Sequence, residues 1–151
     1  MKMNVKRLNK DAVLPKFAHD TDSGFDLFTS EDLTLEKNQK GVAKTGLIIE
    51  IPRGWGIQIK NKSGITLKGA PTTAGNNADV TIYEGTIDMD YRGELMIMLK
   101  NEEQDQITIP KHTKLAQGVL RKVYHCEFVE VDEVNETTRG EGGFGSTGNK
   151  L

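Results

Sequence analysis

From Leu95 to Lys100 the chain alternates with a period of two. Leu95, Ile97 and Leu99 fall on one side of an extended backbone, and Met96, Met98 and Lys100 on the other. Successive strand side chains point to opposite faces, so this run offers one face for burial. Leu47 to Ile51 (LIIEI) leads into the turn residues Pro52-Arg53-Gly54-Trp55-Gly56. Ile57 and Ile59 then alternate with Gln58 and Lys60, which predicts a hairpin with one buried face. Ile107 to Ile109 and Phe128 to Val134 are shorter β-rich runs, and Lys114 to Tyr124 is ambiguous. With 16 glycines and 4 prolines at short intervals, at most one short helix or turn fits elsewhere. Many short strands with frequent turns predict an all-β sandwich or barrel.

The length of 151 residues suits one domain, and no internal repeat divides it. A content of 36% hydrophobic and 28% charged residues is that of a globular chain. A net charge of -2 argues against a general nucleic-acid binder, which needs a basic face. The single cysteine, Cys126, allows no internal disulfide. Its apolar neighbours Phe128, Val129 and Val131 predict a buried, inert thiol. His19, His112 and His125 show no metal-ligand spacing with it. The N-terminal MKMNVKRLNKDAVLP lacks a signal-peptide core, and no run reaches membrane-span length. A cytoplasmic protein with no membrane partner is expected.

Five polar stretches carry the chemistry. Asp22-Ser23-Gly24-Phe25-Asp26-Leu27 is an acidic turn entering a strand, without the spacing of an EF-hand. Lys62-Ser63-Gly64 ends the Ile57/Ile59 strand, where a cation, a hydroxyl and bare amides suit a phosphate as well as a plain turn. Gly85 to Glu94 (GTIDMDYRGE) places two acids, a tyrosine and an arginine together. An aspartate there can orient a water or take part in a solvated turn. Lys114-Leu115-Ala116-Gln117 offers one amide. The glycine-rich Arg139 to Gly148 satisfies G-x-G-x-x-G at its end. No helix can follow it in the three remaining residues, and Asn149 stands where a P-loop needs lysine, so both dinucleotide readings fail. Its composition alone fits a mobile terminus.

Taken together and in order, DSGFDL (22–27), KSG (62–64), GTIDMDYRGE (85–94), KLAQ (114–117) and RGEGGFGSTG (139–148) resemble the five motifs of the trimeric dUTPase family. The resemblance spans residues 22–148. It implies a jelly-roll-like β fold for residues 1–138 and a flexible arm, 139–151, that closes over the active site. It further implies a homotrimer whose sites are built from several subunits, with dUTP hydrolysed to dUMP and pyrophosphate. By position, Asp88 resembles the residue that activates the attacking water, and Tyr91 the ring that packs on deoxyribose. The segment from Ile82 to Thr86, with Gly85, is expected to form a hairpin that meets the uracil edge. Lys62, Ser63, Gly64 and Gln117 resemble phosphate contacts. Arg139, Gly145, Ser146 and Thr147 resemble contacts of the closing arm, and Phe144 its lid over uracil. Asp26 and Arg92 resemble supporting residues. Mg2+ is implied as cofactor, held by substrate phosphates and water rather than by protein ligands.

Four features depart from the family pattern. Lys62 stands where arginine is usual, and a lysine cannot make the planar two-pronged contact. Phe25 replaces a tyrosine, and Gly118 follows Gln117. The stretch between Ser63 and Asp88 is long, with Gly69 to Asp79 (GAPTTAGNNAD) expected as a looped insertion, a candidate site for a regulatory protein partner. Rival readings are a dCTP deaminase on the same fold and a regulatory binding protein. Asp88 and the Phe144 arm favour hydrolysis of the phosphate chain.

Overall fold

The computed structural model describes residues 1–143. Thirteen short strands and one helix make up its regular structure among those residues. The central sheet has four antiparallel strands in the order β10 (Gly85–Ile87), β6 (Trp55–Asn61), β13 (Lys114–Lys122), β2 (Phe25–Phe28). A second sheet runs β4 (Lys40–Lys44), β11 (Met96–Asn101), β9 (Val80–Ile82). Two-stranded ribbons pair β1 (Asn4–Arg7) with β5 (Leu47–Glu50), and β3 (Leu33–Leu35) with β12 (Ile107–Ile109). The strands enclose one apolar core, in which Leu27, Ile57, Ile97, Leu99, Ile109 and Leu115 are sealed from water. This is the expected all-β, jelly-roll-like architecture, realised as a sandwich.

Period-two patterning identified the strands and their inner faces. In β11 and the residue before it, Leu95, Ile97 and Leu99 are buried while Met96 and Met98 are exposed. The ambiguous stretch from Lys114 is the longest strand, β13, and the one helix is α1 (Ser63–Lys68).

The pairing expectations fared differently. β5 and β6 do not form a hairpin: β5 pairs with β1, and β6 with β10 and β13. The Pro52–Trp55 turn, with Gly54 at φ +81°, moves the chain from one sheet to another. The segment from Ile82 to Thr86 is likewise no hairpin, because β9 pairs with β11 and β10 with β6. Gly69 to Asp79 is a small hairpin rather than a loop, β7 (Ala70–Pro71) with β8 (Asn77–Ala78). Its Ala70, Thr72 and Ala78 are buried. Gly69 enters it at φ +82°, where an added Cβ would strike the Ala78 backbone.

Beyond Lys122 no strand forms among the described residues. Phe128 to Val134, a β-rich run in sequence, is irregular chain with a bend at Asp132, because a segment that pairs with no neighbouring strand cannot satisfy a β backbone or bury its side chains. Phe128 is 92% exposed and Val134 85%. Cys126, expected to be buried, is exposed: its apolar neighbours Phe128, Val129 and Val131 are themselves exposed among the described residues.

Candidate active site

Three of the five motifs converge at one end of the central sheet. Gln117 on β13 lies opposite Asp26 on β2 and opposite Lys60 on β6. Directly opposed residues share a face, so Asp26, Gln117 and Lys60 stand together. β6 ends one residue before Lys62, which adopts an extended conformation and starts α1 without a side-chain cap. Ser63 and Gly64, in the first turn, are exposed.

Asp26 organises this end. Its side chain is 2% exposed and lies between two ammonium groups. Lys62 Nζ donates to Oδ1 at 2.8 Å. Lys114 Nζ sits 3.1 Å from Oδ2 as an ion-pair contact, but outside hydrogen-bond geometry, so Oδ2 accepts no hydrogen bond. Burial pushes the Asp26 carboxyl pKa up, yet the Lys62 hydrogen bond and the close positive charges of Lys62 and Lys114 outweigh it and hold the group below its usual range. A shift in strand register between Lys114 and Ala116 buries Leu115 and Ala116 consecutively and turns Lys114 outward beside Gln117.

The third motif occupies the far end of the same sheet. After β10 the chain turns, with Tyr91 N–H donating to the Asp88 carbonyl at 3.1 Å. Asp88 is exposed. The Tyr91 ring folds back over Gly93, where an added Cβ would overlap it, and its hydroxyl donates to the Glu94 carbonyl at 3.1 Å. The Arg92 guanidinium donates to the Met89 and Tyr91 carbonyls. The Glu94 carboxylate accepts from Gly46 N–H at 2.7 Å. Arg92 and Glu94 thus brace the loop that presents Asp88 and Tyr91. A cleft of about 650 Å³ flanks this loop, lined by Lys2, Arg53, Met89, Asp90 and Arg92 among others, but not by Asp88 or Tyr91.

Between the two ends lies the expected base-binding segment. Ile82 is buried, so only backbone can serve there. Glu84 accepts from Lys60 Nζ at 2.6 Å, which ties the β9–β10 link to the central sheet. The cleft between Gly85 and β6 is only about 190 Å³, below the usual size of a ligand pocket.

The chain does not bring Asp88 to the phosphate end. Ile87 pairs with Ile57, and Lys62 lies five residues further along the chain, just past the end of β6, about 16 Å at strand rise. β10 runs antiparallel to β6, so Asp88 continues away from Lys62. Arg139 is also apart: its Nε donates to the Gly142 carbonyl at 2.7 Å within a local turn. Phe144, Gly145, Ser146 and Thr147 lie outside the described residues. Sequence reasoning passed over Lys114, whose outward turn depends on the register shift, although its charge within KLAQ was visible. It also left Gly118 unexplained. The Phe25 ring occupies the space a Cβ at Gly118 would need, and the two residues pair across β2 and β13, so these two departures are one packing solution.

A family model described as dUTPase matches residues 10–148. A deoxyuridine 5'-triphosphate nucleotidohydrolase of Clostridioides difficile is 40% identical, the alignment covering 97% of each chain. One from Gloeothece citriformis is also 40% identical, covering 98% of this chain and 97% of that one. Among solved structures, the Staphylococcus bacteriophage 80alpha dUTPase with dUpNHpp superposes with a TM-score of 0.86 at 29% identity, covering 97% of this chain and 98% of that one. With the fold, the ordered motifs and these relatives in agreement, the chain belongs to the dUTPase family.

Proposed function

We propose that this enzyme hydrolyses dUTP to dUMP and pyrophosphate, drawing down a nucleotide that would place uracil in DNA and supplying dUMP for dTMP synthesis. The carrying observation is the convergence of Lys62 and Gln117 at Asp26, with Ser63 following Lys62 in the first turn of α1, at one end of the central sheet. These ammonium, hydroxyl and amide groups suit a phosphate chain. The homologues' shared name, and the phage enzyme's structure with dUpNHpp, support the same substrate.

In this reading Asp88 accepts a proton from a water as that water attacks the α-phosphorus in line, and pyrophosphate leaves. Tyr91, fixed over Gly93, packs against the deoxyribose and leaves no room for a 2′-hydroxyl. Backbone groups of residues 82–86 meet the uracil edge, and a cytosine would leave them unpaired. The arm from Arg139, with Phe144, Gly145, Ser146 and Thr147, closes the site and excludes water.

Mg2+, held by the substrate's phosphate oxygens and water rather than by protein side chains, would neutralise charge on the phosphates. No group of three or more His, Cys, Asp or Glu side chains is arranged to hold a metal among the described residues. The cationic end around Lys62 fits a metal carried by phosphate oxygens rather than a bare ion. Because Asp88 and Lys62 sit at opposite ends of one sheet, the site is completed between copies of the chain. The exposed apolar residues from Tyr124 to Val134 are a surface that such assembly would cover. A cytoplasmic homotrimer with shared sites follows from this reading.

The test is pyrophosphate release with Mg2+ from dUTP, dCTP, dTTP and UTP side by side. Release from dUTP alone is expected. Asp88→Asn should still bind dUTP while turnover falls about a hundredfold or more. Near-normal turnover in that variant would remove Asp88 from the role, and ammonia release from dCTP would point to deamination instead.

A further inference from the structure

Lys62 supplies one ammonium, a point charge that cannot make the planar two-pronged contact of a guanidinium. The structure holds a second cation at the same carboxylate. We propose that Lys114 is a substrate-binding residue that contacts the triphosphate beyond its α-phosphate, and that Asp26 is the positioning residue that sets Lys114 and Lys62 side by side as a two-ammonium cradle. The inference rests on the dUTP reading above.

Four observations support it. The register shift between Lys114 and Ala116 turns the lysine toward the face that carries Gln117. Lys62 spends one N–H on Asp26 Oδ1 and keeps two donors. Lys114 lies 3.1 Å from Oδ2 and is 53% exposed, but makes no hydrogen bond there. Even with one N–H facing that carboxylate, two remain available, apart from a weak contact 5.8 Å above the Phe28 ring. Lastly, one buried carboxylate against two ammonium groups leaves a net positive charge, which a polyanion would neutralise. A purely structural ion pair would need one lysine, not two. Asp26 Oδ2, 2% exposed on its side chain and without a hydrogen bond, keeps the second ammonium close without saturating it.

The experiment measures binding of dUpNHpp and of dUMP, both with Mg2+, to the full-length parent, Lys114→Met, Lys114→Arg and Asp26→Asn, alongside dUTP turnover of the parent. The two ligands share base, sugar and α-phosphate. Losing a charged phosphate contact should weaken dUpNHpp about tenfold or more in Lys114→Met, with dUMP within about twofold. Lys114→Arg should restore most of the dUpNHpp affinity. Asp26→Asn should show the same selective loss, since a general loosening of the fold would weaken both ligands alike. If the parent hydrolyses dUTP but Lys114→Met binds dUpNHpp as the parent does, or loses both ligands equally, the cradle is refuted while the function stands. A parent inert toward dUTP refutes the function, and the cradle with it.

Discussion

Asp26 shows how far one buried group can set local chemistry. Its pKa is held below the ordinary 3.8, so the folded chain releases this proton more readily than the unfolded chain. The resulting stability is present above the unfolded value and lost as pH falls through the folded one. Urea unfolding from pH 7 down to about 3 should show a decline below about pH 4 that is shallower in Asp26→Asn; equal slopes would exclude this contribution. The Phe25–Gly118 pair gives a second expectation. Gly118→Val forces a side chain into the Phe25 ring and should cost about 1–3 kcal/mol. Pairing it with Phe25→Leu should recover part of that loss, a coupling that a double-mutant cycle by denaturant titration would read. The motif residues were legible in the sequence because their types and order are specific. Lys114 was not, since its direction is decided by one irregular step in β13. Apolar neighbours predict a core position for Cys126, but among the described residues Phe128, Val129 and Val131 are themselves exposed, so local composition says nothing about burial there.

At the scale of elements, alternation told which segments are strands and which side is buried, but not which strand lies beside which. Partner choice depends on contacts distant in sequence, as with β5 and β6, joined by a tight turn yet belonging to different sheets. The hairpin at 70–78 was hidden by its polar composition, because only alternate residues such as Ala70 and Ala78 reach the core. Asn101 shows the same limit. It ends β11 fully buried and donates to the Leu35, Glu36 and Asp105 carbonyls, while its oxygen accepts from Glu103 N–H. It links β11, β3 and the turn before β12, yet in sequence it is one asparagine among several. Asn101→Leu strips partners from those buried groups and should cost about 3 kcal/mol in chemical denaturation. A loss below about 1 kcal/mol would mean that water replaces the side chain.

For the whole molecule, the proposed reaction turns on the distance between Asp88 and Lys62, which stand beyond opposite ends of β6 within one chain. In that reading one chain holds both ends of the chemistry without joining them, and the run from Tyr124 to Val134 is exposed among the described residues. Dilution should therefore lower specific activity together with the measured mass, in light scattering and turnover on the same samples. Activity that persists in a species of single-chain mass would require Asp88 and Lys62 to meet by rearrangement within one subunit.

The same separation has a genetic face. Asp88→Asn and Lys62→Met damage opposite ends of the sheet, so each protein alone should be inactive or nearly so. Unfolded together and refolded as a mixture, they should regain activity, because some sites draw an intact aspartate from one parent and an intact lysine from the other. Random mixing restores roughly a quarter of the sites. Two defective alleles in one cell would then complement each other only where their lesions strike opposite ends of the sheet.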